Sequence, residues 1–133
     1  MTRRELSQLF YLNREVEYQG MRLRELESAA AGHCRRITGL PGGNGISDRV
    51  GRCGAEIADL SRRIDTGIHR CWQELFRLSG FIDSVEDSQM RQILSMRYIG
   101  QCSWDQIAIH LGGGNTADGV RKAHDRYLSR NRS

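Results

Sequence analysis

A single proline, Pro41, constrains this chain of 133 residues more than any other feature. Proline breaks helix interiors, because it lacks an amide proton and its ring collides with the preceding turn. Here it lies inside GLPGGNG, the clearest loop in the sequence, and long proline-free segments lie on both sides.

Before the loop, from about Arg3 to Ala31, apolar residues recur in a heptad rhythm: Leu9, Leu12, Val16, Leu23, Leu26 and Ala30. Gln19 stands where the rhythm calls for an apolar side chain. This predicts an amphipathic helix with a narrow stripe, suited to packing against one partner helix. After the loop, from about Asp48 to Gly80, Val50, Cys53, Ile57, Leu60, Ile64, Cys71, Leu75 and Leu78 keep a similar rhythm. Ser47 is expected as the N-cap, with Asp48 in the first turn. A glycine-rich loop at 32–47 lets the second helix return antiparallel to the first. Residues 1–81 therefore read as a long, coiled-coil-like helical hairpin. Its two narrow stripes leave Phe10, Tyr11, Trp72 and Phe76 over, to be covered by a second copy or by another domain.

Residues 82–133 have a different texture, with short segments between tight turns. Asp83 and Ser84 are expected to open a helix over roughly 86–99, with Glu86 near its first turn, and Gly100 to end it. SWDQ fits a capping box led by Ser103. Trp104, Ile107, Ala108 and Leu111 form the buried stripe of the next helix, which stops at Gly112-Gly113-Gly114. Asn115 or Thr116 caps a last helix to about Arg130, with Val120, Ala123, His124, Tyr127 and Leu128 turned inward. Short helices joined by tight turns, with a cap directly before the last, read as a helix-turn-helix. The fold class is thus all-α.

Composition narrows the function. Lys+Arg is 20 and Asp+Glu 16, a net charge of +4, which permits nucleic-acid binding without demanding it. Charged residues at 27% and hydrophobic residues at 38% exclude a fully disordered chain. No apolar run approaches the ~20 residues that cross a bilayer. MTRRELSQLF lacks the apolar centre of a signal peptide. The expected location is cytoplasmic, with no membrane partner, and the four cysteines are expected as reduced thiols. His33, Cys34, His69, Cys71, Cys102, His110 and His124 lack the spacing of a structural zinc site, so no metal is expected. GGGNTA matches a dinucleotide fingerprint only in letters, because no strand precedes it. The only lysine, Lys122, falls inside a helix, which excludes a P-loop. No nucleophile–base or paired-carboxylate arrangement stands out, so neither enzyme activity nor a cofactor is expected.

The end of the chain is locally positive, with five basic and two acidic residues between Thr116 and Ser133. A last helix of this kind fits a major groove, its first residues at base edges and its Arg and Lys on phosphates. The candidate DNA-binding residues are Asn115, Thr116, Asp118, Arg121, Lys122, Asp125, Arg126 and Arg130.

The stretch ILSMRYIGQCSWDQIAIHLG resembles region 4 of sigma-70-type RNA polymerase sigma factors, through Leu94, Arg97, Tyr98, Trp104, Ile107, Ala108, Leu111 and Gly112. The turn GGGNTADGV is longer than that pattern. Over roughly residues 20–130 the chain also resembles a family of small sigma-like phage and prophage regulators of the ArpU/RinA type. The cues are ISDRVG, IADLSRRID, MRYI and GGGNTADGVRKAHDRYL. The resemblance implies binding of double-stranded DNA and control of phage transcription; the expected function is that of a sequence-specific regulator, with the hairpin supplying a homodimer or a contact with RNA polymerase. Two other readings compete: a helical adaptor that docks on RNA polymerase or a phage protein, and a small terminase-like packaging protein.

Overall fold

In a computed structural model, the backbone is described over residues 1–36 and 44–132, and side chains over 1–32 and 51–132. Of the loop expected at 32–47, residues 37–43, Pro41 included, lie outside the described residues, whereas 32–36 and 44–47 belong to helices and not to a loop; the side chains of His33 and Cys34 also lie outside the described residues. Among the described residues all regular structure is helical: α1 Arg3–Leu6, α2 Gln8–Arg36, α3 Asn44–Asp83, α4 Ser88–Leu94, a π-helical turn Ser95–Ile99, α5 Trp104–Leu111 and α6 Ala117–Arg130. None of these helices is long and apolar enough to cross a membrane.

The chain divides into two compact units, Asn13–Arg70 and Met1–Leu12 together with Cys71–Ser133. This differs from the division at 81/82 expected from the change in sequence texture. The cause is burial: Leu6, Leu9 and Leu78 belong to the same apolar cluster as Leu94, Ile107 and Val120. Periodicity along one segment does not reveal which distant segment shares its core.

Within Asn13–Arg70 the heptad stripe is visible as a line of half-buried side chains, Val16, Leu23, Leu26 and Ala30 on α2 and Cys53, Ile57 and Ile64 on α3. Leu60 is buried. Helix α3 begins at Asn44, so Ser47 and Asp48 lie inside it and do not form its start. Gly67 lies where a Cβ would stand 2.8 Å from Val16 Cγ2, so any larger residue there forces Val16 aside. Gln19, the gap in the apolar rhythm, has its Oε1 buried with no hydrogen-bond partner among the described residues. A buried acceptor without a partner costs about 1–3 kcal/mol. Gln19→Leu is therefore expected to raise the melting temperature of the full chain, read by far-ultraviolet circular dichroism. A lower value would show that this amide has a partner in solution.

The other unit opens with a reciprocal cap. The Thr2 amide donates to Glu5 Oε2 at 2.7 Å and the Glu5 amide to Thr2 Oγ1 at 3.3 Å. That cap starts α1, which stops after one turn at Ser7, so the helix expected from Arg3 to Ala31 is broken near its start. The break leaves Leu6 fully buried and Leu9 nearly so. Helix α3 runs through Leu78 and Ile82 to Asp83, so a residue expected to open the next helix instead ends this one. Asp87 is the residue that caps α4, accepting from the Gln89 amide at 3.2 Å. Met90, Ile93 and Leu94 then enter the core. Gly100 ends the following π turn, its amide donating to Ser95 O at 3.0 Å.

Candidate nucleic-acid interface

Helix α5 starts at the predicted capping box. The Gln106 amide donates to Ser103 Oγ at 3.2 Å, and the Ser103 amide to Gln106 Oε1 at 2.9 Å. Ile107 and Ala108 are buried, whereas Trp104 and Leu111 are only half-buried. Ile109 faces outward at 81% exposure. The helix ends at Gly112, and Gly112, Gly113 and Gly114 take φ of 64°, 62° and 79°. Three successive left-handed residues are cheap only for glycine. Thr116 then caps α6 by accepting from the Gly119 amide at 3.1 Å. Val120, His124 and Leu128 anchor α6 in the core, and Ala123 and Tyr127 are half-buried beside them.

The eight candidate DNA-binding residues separate into two groups. Asn115, Thr116 and Asp125 have work inside the fold. Asn115 Nδ2 donates to Gly112 O at 2.7 Å, Thr116 is the cap, and Asp125 forms an ion pair with Arg3 and a hydrogen bond with His124. Asp118, Arg121, Lys122, Arg126 and Arg130 are exposed on α6. Asp118 sits in the first turn, where its charge complements the helix dipole. It also pairs with Arg121 at 2.7 Å and with Lys122 at 2.9 Å. These hydrogen bonds hold the Asp118 carboxyl below its ordinary range and raise Arg121 above its own. Arg126 and Arg130 form no ion pair among the described residues.

Beside this face a polar chain runs from the core at Tyr98 and His124 to the half-buried Asp125. Tyr98 Oη and His124 Nε2 are 2.6 Å apart, and His124 Nδ1 lies 3.0 Å from Asp125 Oδ1. Burial would raise the Asp125 pKa, but the His124 hydrogen bond and the Arg3 charge outweigh it, so Asp125 stays ionised and acts only as an acceptor. Nδ1 therefore carries the imidazole proton, and Nε2 accepts from the Tyr98 hydroxyl. Burial lowers the His124 pKa against the pull of Asp125, and burial raises that of Tyr98. The Trp104 ring rests 4.9 Å from His124.

Two residues gain roles that sequence alone does not assign. Arg97 belongs to the sigma-like pattern with no role attached, and nothing in the sequence singles out Arg3. Arg97 Nη1 donates to Cys102 O at 3.0 Å, and its guanidinium carbon lies 4.3 Å from the Trp104 ring centroid. The exposed aromatic residues of the same unit are Phe10, Tyr11, Trp72 and Phe76. Among the described residues Cys53, Cys71 and Cys102 form no disulfide. Comparison of the chain with protein-family models, with curated proteins and with solved structures returns no match.

Proposed function

We propose that this protein is a non-enzymatic, sequence-specific DNA-binding regulator whose reading head is a helix-turn-helix made by α5 and α6. The observation that carries the reading is α6 itself: Val120, His124 and Leu128 anchor one face, while Arg121, Lys122, Arg126 and Arg130 stand exposed on the rest. Cations held on a fixed helix suit phosphate contacts on both sides of a groove, with bases read between them. The resemblance to sigma region 4 and to phage regulators adds the biological setting, control of phage or prophage transcription. In that setting α2 and α3 form an antiparallel hairpin that supplies dimerisation or a contact with RNA polymerase.

Fluorescence anisotropy with a labelled duplex, repeated over a range of salt, tests the reading. Arg126→Ala and Lys122→Ala are each expected to shrink the slope of log K against log salt by ~0.9 for each phosphate that the variant no longer neutralises. Asp118→Asn, which releases Arg121 and Lys122 from their shared carboxylate, is expected to tighten binding. Duplex affinity independent of salt, or indifferent to all three changes, would refute the assignment to α6.

A second reading, an adaptor that binds protein, is favoured by one observation. Trp72 and Phe76 remain 57% and 71% exposed on α3. Their rings lie 6.3 Å apart, and contiguous exposed apolar surface marks interaction sites. Co-sedimentation with RNA polymerase in the absence of DNA affinity would select it.

A further inference from the structure

We infer that a small cavity beside α6, walled by Arg3, Arg97 and Arg121, is a receptor for the oxyanion of a phosphate group. Its volume is about 200 Å³, and Ser7, Tyr98 and Trp104 complete most of the wall. Arg97 carries the argument. It is half-buried, and it is pinned from two sides by the Cys102 carbonyl and the Trp104 ring. Yet no carboxylate pairs with it among the described residues. A guanidinium that is partly desolvated, held still and uncompensated by an acid keeps donors for an incoming anion, and little ordering remains to be done on binding.

Its neighbours strengthen the field. Arg3 reaches the cavity from α1 and Arg121 from α6, so three guanidiniums meet one carboxylate in the wall, Asp125. That carboxylate does not close the site to anions, because its charge is offset by Arg3, with which it pairs, and the wall keeps the charges of Arg97 and Arg121 in excess. Arg121 is shared with Asp118, an exposed pair that an anion can loosen at little cost. Planar guanidinium forks match the geometry of phosphate oxygens, which a spherical halide does not. The site therefore discriminates phosphate from chloride.

The inference deepens the DNA reading and rests on it for one of two sources of the phosphate, a strand of duplex DNA or free inorganic phosphate. Trp104 lies in the wall and reports occupancy. In full-length Trp72→Phe protein, potassium phosphate is titrated against chloride at constant ionic strength while Trp104 emission is followed. A saturable change is expected, with half-saturation at roughly 1 mM. Arg97→Gln, Arg3→Gln and Arg121→Gln are each expected to raise that concentration about fivefold or more. Arg3 and Arg121 are exposed, so their variants keep the test valid should Arg97→Gln unfold. A response equal to that of chloride, or one unchanged in the folded variants, overturns the inference.

A second titration uses a mixed-sequence duplex. Competition between duplex and phosphate for the Trp104 signal supports the cavity and identifies a DNA strand as the source. Phosphate binding without duplex binding keeps the cavity and removes the DNA reading. Duplex binding with no phosphate response and with full affinity in the folded variants removes the cavity and keeps the DNA reading.

Discussion

Leu6→Ala is expected to destabilise the unit that contains α6 by about 2–5 kcal/mol, although Leu6 lies at the opposite end of the chain. Its side chain is fully buried, in the apolar cluster that also holds Leu78, Leu94, Ile107 and Val120. Truncation removes methyl groups from an interior whose walls come from several elements and close only partly over the gap. In a unit of this size that loss lowers the melting temperature by about 10 °C or more. Both tryptophans, Trp72 and Trp104, fall inside the unit formed by Met1–Leu12 and Cys71–Ser133, so their fluorescence follows its unfolding. Phe10→Ala serves as a control, since Phe10 is 41% exposed and its loss leaves a smaller void. If the first residues belong only to a hairpin, as sequence texture suggests, the tryptophan transition of Leu6→Ala coincides with that of the unaltered protein. That coincidence would remove Met1–Leu12 from the unit.

The contrast between Leu6 and Ser103 shows which parts of the fold can be read locally. The capping box of Ser103 and Gln106, the Thr116 cap, the stop at Gly100 and the inward set Val120, His124 and Leu128 are all fixed within a turn or two of chain. The Gln19 gap in the heptad rhythm is equally visible, and it is where the structure leaves a buried oxygen without a partner among the described residues. Other features depend on distant neighbours. Nothing in RRELSQLF signals a break at Ser7, because the break aims Leu6 into a core built from the far end of the chain. The π turn over Ser95–Ile99 has the same residue types as an ordinary α-helix, and its wider hydrogen bonds accompany the burial of Tyr98. Asp87 displaces Asp83 and Ser84 as a cap because Leu78 and Ile82 carry α3 further into the core than its polar residues suggest.

The candidate site follows the same rule. The exposed charges of α6 are legible, since helical spacing alone separates them from its apolar face. The pairing of Asp118 with both Arg121 and Lys122 also follows from spacing, at three and four residues. The convergence of Arg3, Arg97 and Arg121 is not legible. It joins α1, the π turn and α6, and only the folded core sets those three side by side.

Among the described residues His124 is the buried polar side chain, tied to Tyr98 and Asp125, and its substitution is expected to be costly. His124→Ala is expected to cost about 2–5 kcal/mol, a loss of the size seen when a large buried side chain is cut back. It empties a fully buried site, removes the partner of the Tyr98 hydroxyl and strips one donor from Asp125. Tyr98→Phe removes only the hydroxyl and is expected to cost about 1–3 kcal/mol, because Nε2 is left without a donor. The unaltered protein should also show a pH dependence of definite sign. Burial lowers the His124 pKa from 6.5, so the folded ring resists protonation more than the unfolded one. Above 6.5 the ring is neutral in both states and its stabilisation is complete. As pH falls through that value the unfolded chain takes the proton first, and stability declines until the folded ring also titrates. Asp125, whose carboxyl is held below 3.8, adds a second loss at still lower pH. His124→Phe keeps a buried ring and cannot titrate, so it is expected to lack the first decline and to show a smaller second one, because Asp125 keeps Arg3 but loses the His124 bond. The measurement is the chemical-denaturation midpoint, followed by tryptophan fluorescence, from about pH 7.5 down to about pH 3. A decline of equal size in His124→Phe would assign it to another group, and the buried Tyr98–His124–Asp125 chain would lose its role in setting the stability of the α6 unit.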